Sequence, residues 1–292
     1  HLERSLGAND SISFRIETGQ HVQKFKLATR PPPAFNVLMS LGIKNENRWV
    51  RHFLEYYLNC LKVDHVLVYD NETADRKGLE AILRPYREAG KVTYIPWDFR
   101  WRNIKQPRKM IAQPQQEAHS LNRFANSRWI GFLDVDEFLR IPGKTLPEFV
   151  EPYRDANVDG LSFGLRWFQY EGALEFDEVI DAPLTFRHSR CSRLGRKRQK
   201  LLISPHQVRF ARLHSLEEGG RELQIDDTDI YFHHYCQQQN RFKEQLGEVR
   251  RRDDYMLRFA DQLALDGNSR GRPEKPRNRE QWVGHIVGAL AA

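Results

Sequence analysis

Apolar and polar residues follow one another in blocks along the first half of the chain, and each block has the period of one kind of secondary structure. Short apolar runs predict buried strands at Phe35–Ser40, His65–Tyr69, Lys91–Ile95 and Trp129–Leu133. Helical spacing of apolar residues follows each of the first three runs, the last over Gln113–Ala125. This alternation predicts an α/β fold with a mostly parallel central sheet and helices on both faces.

The pattern changes beyond residue 155, where strand-like stretches are separated by long polar segments. These stretches lie at Gly160–Phe168, Leu184–His188 and Ile230–His234, and helical spacing returns at Arg241–Val249 and Tyr255–Leu265. We predict three parts: a polar N-terminal extension over residues 1–34, a main domain over 35–250, and a helical and basic C-terminal tail over 251–292.

The composition narrows the class of protein. With 40% hydrophobic and 29% charged residues the chain can bury a sizeable core. No run approaches the ~18 to 20 consecutive apolar residues of a membrane span, and the first residues lack the apolar core of a signal peptide. Three widely spaced cysteines indicate neither a disulfide framework nor a metal site of C-x-x-C type. We expect a soluble, cytoplasmic protein.

The excess of basic residues indicates an anionic partner. Lys and Arg number 46 against 39 Asp and Glu, a net charge of +7. Nucleic acid, an acidic membrane surface or a phosphorylated substrate would each suit this charge. Seven basic residues fall within Arg187–Lys200, among them Arg196, Lys197 and Lys200. They could neutralise a diphosphate or form an ordinary solvated surface.

An acidic motif directly follows the strand at Trp129–Leu133. Asp134, Asp136 and Glu137 place three carboxylates within four positions, and such crowding opposes ionisation unless a cation neutralises it. In an extended segment Asp134 and Asp136 would point to the same side, where both could bind one Mg²⁺ or Mn²⁺. The alternative is a solvated turn in which an aspartate caps a helix.

Two more polar clusters follow neighbouring strands. Lys44, Asn45 and Glu46 come after the first strand, and the segment 70–75, which starts with Asp70 and Asn71 and ends with Asp75, comes after the second. Each alone could be an ordinary turn. Because the carboxyl ends of parallel strands meet at one edge of a sheet, we expect these clusters and the acidic motif to form a ligand site there.

Other residues could complete a reactive site. His214, His233 or His234 could bind a metal, although His233 and His234 point to opposite faces of a strand, so at most one of them faces the site. Glu171 follows a strand-like run and could act as a general base, or it could be a surface residue.

These motifs, in this order, resemble the nucleotide-sugar glycosyltransferases of the GT-A (Rossmann-like) fold, most closely glycosyltransferase family 92 and bacterial relatives near family 2. The resemblance spans about Phe35 to Glu248. Its first half rests on Lys44-Asn45-Glu46, Val68-Tyr69-Asp70-Asn71-x-Thr73-x-Asp75 and Phe132-Leu133-Asp134-Val135-Asp136-Glu137-Phe138. Its second half rests on Trp167-Phe168 to Gly172, Lys200-Leu201-Leu202-Ile203-Ser204-Pro205, Leu213-His214 and His234-Tyr235 followed by Arg241-Phe242.

The resemblance implies an inverting transfer of a sugar, galactose or a related hexose, from a UDP-sugar to a glycan or other hydroxyl acceptor, with Mn²⁺ or Mg²⁺ on the diphosphate. Asp70 and Asp75 would lie near the uridine, and Asp134 near the ribose or the metal. Asp136 would bind the metal, and His234 or His214 would complete its ligands.

The remaining roles are assigned by their chemistry. Glu171, or Asp177 in its place, would take the proton of the acceptor hydroxyl. The basic segment Arg187–Lys200 would close over the diphosphate and expel water.

Two other classes of function compete with this interpretation. A phosphotransferase of the haloacid-dehalogenase type also places D-x-D after a strand, but on the first strand of its sheet. A nucleic-acid or polyanion-binding protein would need the charge and no metal. Because the acidic clusters lie after the strands, we expect nucleic acid not to be a partner, whereas the basic tail could touch an anionic membrane.

Overall fold

The computed structural model describes the central part of the chain most fully. The described residues are 11–18, 21–28, 33–102, 104, 106, 110–170, 189–191, 195–206, 208, 210–212, 215–218, 220–226, 229–235, 251–252, 255–259 and 263.

Strands dominate this part of the chain. In chain order they are β1 Ser11–Thr18, β2 His21–Ala28, β3 Val37–Ile43, β4 His65–Asp70, β5 Val92–Pro96, β6 Trp129–Leu133, β7 Glu137–Arg140, β8 Gly160–Tyr170, β9 Ser189–Cys191, β10 Gly195–Ile203, β11 Phe210–Arg212, β12 Ser215–Glu218, β13 Glu222–Ile225, β14 Tyr231–Tyr235 and β15 Arg251–Arg252.

The helices lie mainly between the early strands. They are α1 Asn47–Leu54, continued by a π-helical segment at Glu55–Cys60, then α2 Arg76–Glu88, α3 Ala112–Arg123 and α4 Leu146–Val150, with 3₁₀ turns at Glu151–Tyr153 and Tyr255–Phe259. No described helix has the length and apolar character needed to cross a bilayer.

The first half of the central sheet is parallel. Its strands lie in the order β6-β3-β4-β5, and every neighbouring pair among them is parallel. The helix α1 connects β3 to β4, and α2 connects β4 to β5. The predicted α/β class is confirmed, and the carboxyl ends of β3, β4 and β6 share one edge.

The second half of the sheet is mixed. Strand β10 is antiparallel to β6 and to β8. Strand β14 is parallel to β8 and antiparallel to β7, so it runs between them. Strand β14 is therefore paired directly with β7, the strand that begins at Glu137 of the acidic motif.

Two hydrophobic cores cover the two faces of the sheet. The larger contains the apolar side chains of α1, its π-helical continuation, α2 and α4. The smaller contains Leu121 and Phe124 at the end of α3, packed with Leu38, Leu67 and Ile130 from the sheet. Helices on both faces are thus confirmed.

Some predictions differ from the structure or lie outside it. The N-terminal extension contains an antiparallel hairpin of β1 and β2, which the sequence interpretation lacked. Within Tyr255–Leu265, the structure describes a 3₁₀ turn over Tyr255–Phe259 and, beyond it, Leu263. The stretches Leu184–His188 and Arg241–Val249 lie outside the described residues, and the division into 1–34, 35–250 and 251–292 stays a prediction.

Candidate functional site

The acidic motif forms a tight turn between β6 and β7. The backbone N–H of Glu137 donates to the carbonyl oxygen of Asp134 over 3.1 Å. In the opposite direction, the backbone N–H of Asp134 donates to Oε2 of Glu137 over 2.9 Å. The buried Glu137 side chain therefore fixes the turn that presents Asp134 and Asp136 at the carboxyl edge of the sheet.

Lys200, on β10, supplies the positive charge inside this turn. Its Nζ lies 2.8 Å from Oε2 of Glu137 and 3.1 Å from Oδ2 of Asp134. Its side chain is only 1% exposed, whereas that of Asp134 is 43% exposed. Lys200 thus binds the inner side of Asp134, and the outer side of that carboxylate faces solvent.

His234, on β14, is aligned with the turn by strand pairing. Its Cα is the direct partner of that of Glu137 in the antiparallel β7–β14 pair. Its Nε2 lies 3.4 Å from Oδ2 of Asp136, and its Nδ1 lies 3.4 Å from Oε1 of Glu137. The ring stacks on Trp167 at 4.4 Å between centroids, which holds its plane.

The charges in this cluster shift one another's pKa. Burial raises the pKa of Glu137 to about 7, although Lys200 lowers it. Burial lowers the pKa of Lys200 and of His234, but the carboxylates around each raise it by more, so both net shifts are upward. The carboxylates of the cluster therefore favour the protonated, positively charged forms of the Lys200 and His234 side chains.

Asp136 and His234 suit a divalent cation as a partial ligand set. Among the described residues no group of three or more His, Cys, Asp or Glu side chains is arranged to hold a metal ion. Oδ2 of Asp136 and Nε2 of His234, at 3.4 Å, are nevertheless near the separation of about 3 Å expected of neighbouring ligands at about 2.1 Å from one ion. A cation held by two protein ligands takes its other ligands from water or a phosphate.

The cluster after β3 is tied to the cluster after β4. Asn45 has a positive φ of 60°, which turns its side chain so that Oδ1 accepts from the N–H of Ala74 over 2.8 Å. Nζ of Lys44 lies 3.5 Å from Oδ1 of Asn71 and 3.7 Å from a carboxylate oxygen of Glu72. Glu46 occupies the N-cap position of α1 without a side-chain capping bond.

Asp70, Asn71 and Asp75 have structural partners within this edge. The Asp70 carboxylate accepts from the N–H of Thr73 over 2.9 Å and from the hydroxyl of Tyr94 over 2.8 Å. Nδ2 of Asn71 donates to the carbonyl oxygens of Trp97 and Phe99. Asp75 caps α2 by accepting from the N–H of Gly78. The structure therefore brings the two predicted clusters together at one edge.

A cavity beside Asp134 contains residues that the sequence interpretation did not select for a site. Its lining is Gly42, Trp101, Gln113, Gln116, Glu117, Phe132, Leu133 and Asp134. The side-chain oxygen of Gln116 occupies the space that a Cβ at Gly42 would need. The amides of Gln113 and Gln116 carry no sequence signal of their own, because their relevance comes from where α3 meets the sheet.

The other predicted site residues are described in part or not at all. Glu171, Asp177 and His214 lie outside the described residues. Arg196 and Lys197 belong to β10, but their side chains are not described. Glu137, by contrast, was counted only as one of three carboxylates. No local pattern indicates that Glu137 is buried, because its burial follows from the pairing of β7 with the distant β14.

Comparisons with solved structures identify distant likenesses to proteins solved with a nucleotide or a nucleotide sugar. Residues 1–349 of S. aureus TarS in complex with UDP are 11% identical, with 88% of this chain and 81% of that chain covered and a TM-score of 0.44. The mannosyltransferase PcManGT from Pyrobaculum calidifontis, in complex with GDP-Man and Mn²⁺, is 18% identical, with 46% and 36% covered and a TM-score of 0.32. These TM-scores are low, so the assignment rests on sequence.

The sequence comparisons are more decisive. A glycosyltransferase family 92 protein of Oryza sativa subsp. japonica is 24% identical over 258 residues, which cover 85% of this chain and 41% of the rice protein. The chain thus spans about two fifths of the length of this curated relative. The model of glycosyltransferase family 92 matches residues 40–262, well over half of the chain and the whole of the site described above. The chain belongs to glycosyltransferase family 92.

Proposed function

We propose that this protein transfers a sugar, galactose or a related hexose, from a UDP-sugar to a hydroxyl of a glycan or glycoconjugate, with inversion at the anomeric carbon and with Mn²⁺ or Mg²⁺. The observation that carries the proposal is the approach of Asp136 to His234 at 3.4 Å, beside a half-exposed Asp134. Family membership supports glycosyl transfer as the general chemistry.

The donor would lie along the carboxyl edge of the sheet. Lys44, Asn45, Glu46, Asp70, Asn71 and Asp75 are proposed to bind its nucleoside part, and Asp134 its ribose. Asp136 and His234 would hold the divalent cation. When bound, that cation neutralises charge on the leaving diphosphate as the anomeric C–O bond breaks.

The acceptor hydroxyl must lose a proton during attack. We assign this step to Glu171, with Asp177 as the alternative, because a carboxylate on the acceptor side can take the proton as the new bond forms. Arg196 and Lys197 would add positive charge near the diphosphate, and His214 remains a second candidate for the cation. We also propose a cytoplasmic location with peripheral contact between the basic tail and an anionic membrane.

The test is release of UDP from a panel of UDP- and GDP-sugars, with and without Mn²⁺. We expect wild-type protein to release UDP only from UDP-sugars and only with the cation. Asp136→Asn should lower the rate by at least about 100-fold, since a neutral amide oxygen binds a divalent cation more weakly than a charged carboxylate does.

The matched control is Asp155→Asn, an exposed aspartate beyond β7, which should leave the rate unchanged. Equal UDP release by wild type and Asp136→Asn would contradict the proposal. Release of inorganic phosphate from a phosphate ester would favour the phosphotransferase alternative instead.

A further inference from the structure

Glu137 is buried, and one of its two carboxylate oxygens accepts no hydrogen bond from the described residues. Its side chain is fully buried, and its Oε2 accepts from Nζ of Lys200 at 2.8 Å and from the backbone N–H of Asp134 at 2.9 Å. Its Oε1 lacks a hydrogen-bond partner among the described residues, as does Nδ1 of His234, although the two atoms face each other at 3.4 Å.

A hydrogen bond between these two atoms would decide which nitrogen of a neutral His234 carries the proton. A carboxylate can only accept, so a nitrogen that faces one carries a hydrogen; without a cation this holds for Nδ1 toward Glu137 and for Nε2 toward Asp136, in line with the raised pKa of His234. Nε2 can present a lone pair to a cation beside Asp136 only after it loses its hydrogen, and Nδ1 then keeps its own hydrogen toward Glu137. Histidines that bind metals commonly donate their other N–H to a carboxylate, which fixes the tautomer and the ring orientation.

We propose that Glu137 is a positioning residue that fixes His234 in the tautomer protonated on Nδ1. Lys200 is its buried counter-ion, whose positive charge offsets the cost of burying the Glu137 carboxylate. The inference rests on the proposed function, because it takes Asp136 and His234 as the ligands of the cation. It gives Lys200 a role inside the turn rather than on the donor diphosphate.

Glu137→Gln is a sharp test because an amide has one acceptor end and one donor end. Two donors, Lys200 and the N–H of Asp134, meet at Oε2, so the amide oxygen must take that place. The NH₂ group then faces His234 and forces Nδ1 to accept. The proton moves to Nε2, which can no longer bind a cation.

The first measurement is calorimetric titration of Mn²⁺ alone into the protein. We expect Glu137→Gln to weaken Mn²⁺ binding by about 10- to 100-fold, the usual effect of losing such a partner. Glu55→Gln is the matched control: Glu55 also accepts side-chain hydrogen bonds, from Tyr86 and Asn59, but it lies on the π-helical segment. Its Mn²⁺ affinity should equal that of wild type.

The second measurement separates positioning from stability. Glu137→Gln leaves Lys200 without one of its two carboxylates and could lower the melting temperature for that reason alone. Glu137→Gln with Lys200→Met removes both charges, so the melting temperature should recover while Mn²⁺ binding stays weak. Recovery of Mn²⁺ binding in the double variant would overturn the proposal.

The third measurement observes the tautomer directly by ¹⁵N NMR of the imidazole in the presence of Mg²⁺. We expect the proton on Nδ1 in wild type and on Nε2 in Glu137→Gln. The same tautomer in both proteins, or unchanged Mn²⁺ affinity, would overturn this inference but not the proposed function if Asp136→Asn still lowers UDP release by at least about 100-fold. Absence of Mn²⁺ binding by wild type, together with UDP release that needs no divalent cation, would overturn both.

Discussion

At the scale of the residue, identical side chains acquire different properties from their partners. The side chain of Asp134 is half exposed and bound by Lys200, whereas that of Asp136 is 8% exposed and faces His234. The expectation that both would point to one side assumed an extended segment. The structure has a turn over this motif, because the backbone bond between Glu137 and Asp134 closes it, and a turn does not alternate its side chains.

A second histidine shows how burial sets a pH response of stability. His65 stacks on Phe35 at 4.6 Å, and its ring nitrogens contact the carbonyl oxygen of Gly90 at 3.0 Å and the hydroxyl of Thr93 at 2.8 Å. Burial lowers the pKa of His65 below its ordinary value of 6.5. Protonation therefore costs more in the folded than in the unfolded state.

We predict that the free energy of unfolding falls as the pH drops below about 6.5, the value at which the unfolded histidine begins to bind protons. His65→Gln should reduce this dependence, measured as the urea midpoint between about pH 8 and pH 5. The exposed His206→Gln is the control and should keep the wild-type slope. An unchanged slope in His65→Gln would assign the dependence to other groups.

At the scale of the element, strands of both halves of the sheet were accessible from sequence, since β8 and β14 lie at the predicted stretches Gly160–Phe168 and Ile230–His234, but the pairing in the mixed half was not. Helix α3 covers Ala112–Arg123 where Gln113–Ala125 was predicted, because helical spacing of apolar residues is a local signal. The pairing of β14 with β7 joins segments almost a hundred residues apart, and no local pattern encodes a partner at that distance. Glu137 could therefore be noticed in the sequence as one of three carboxylates, but its contacts with Lys200 and His234 could not be.

The hairpin of β1 and β2 is a different kind of omission. Ile12, Phe14 and Ile16 alternate with polar residues in β1, which is the period of a strand. The polar composition of residues 1–34 and its three prolines outweighed this short alternation. The alternation of a strand was therefore present in the sequence of β1, but the polar composition of residues 1–34 was given more weight than this alternation.

Helix α4 depends on its first turn. Thr145 and Glu148 form a capping box: Oε2 of Glu148 accepts from the N–H of Thr145 over 2.7 Å, and Oγ1 of Thr145 accepts from the N–H of Glu148 over 3.4 Å. The N–H of Leu146 also donates to the carbonyl oxygen of Leu61 over 2.9 Å. The cap therefore anchors α4 beside the end of the π-helical segment.

We predict that Thr145→Ala lowers the free energy of unfolding by about 1 kcal/mol, the usual cost of losing an N-cap. Urea denaturation followed by circular dichroism measures the change. Glu151→Gln removes an exposed pair with Arg154 just beyond the same helix and should cost less than about 0.5 kcal/mol. Equal losses of unfolding free energy in the two variants would mean that the capping box stabilises the protein no more than an exposed ion pair does.

At the scale of the whole molecule, one aromatic residue joins the helical layer to the strands of the site. Phe138 follows Glu137 on β7 and is fully buried. Its ring packs against those of Trp49, Phe53, Tyr56, Tyr57 and Tyr235. These rings come from α1, the π-helical segment and β14, so the position of the acidic turn depends on the packing of the entire layer.

We predict that Phe138→Ala lowers the free energy of unfolding by about 3–5 kcal/mol, the range for a buried phenylalanine. Phe99→Ala, which truncates a ring that is 43% exposed, should change it by less than about 1 kcal/mol. Urea titrations of both variants compare them directly. A loss of less than about 1 kcal/mol in Phe138→Ala would mean that the layer repacks around the missing ring.

The antiparallel docking of β10 on β6 has a consequence for synthesis on the ribosome. Lys200 follows Asp134 by 66 positions, so at about 5–20 residues per second it emerges about 3–13 seconds later. During that interval the parallel half of the sheet can form, but the β6 edge has no strand β10 to pair with, and the acidic turn has no Lys200 ammonium. The nascent protein must pass through this stage before the Lys200 ammonium can neutralise its acidic turn.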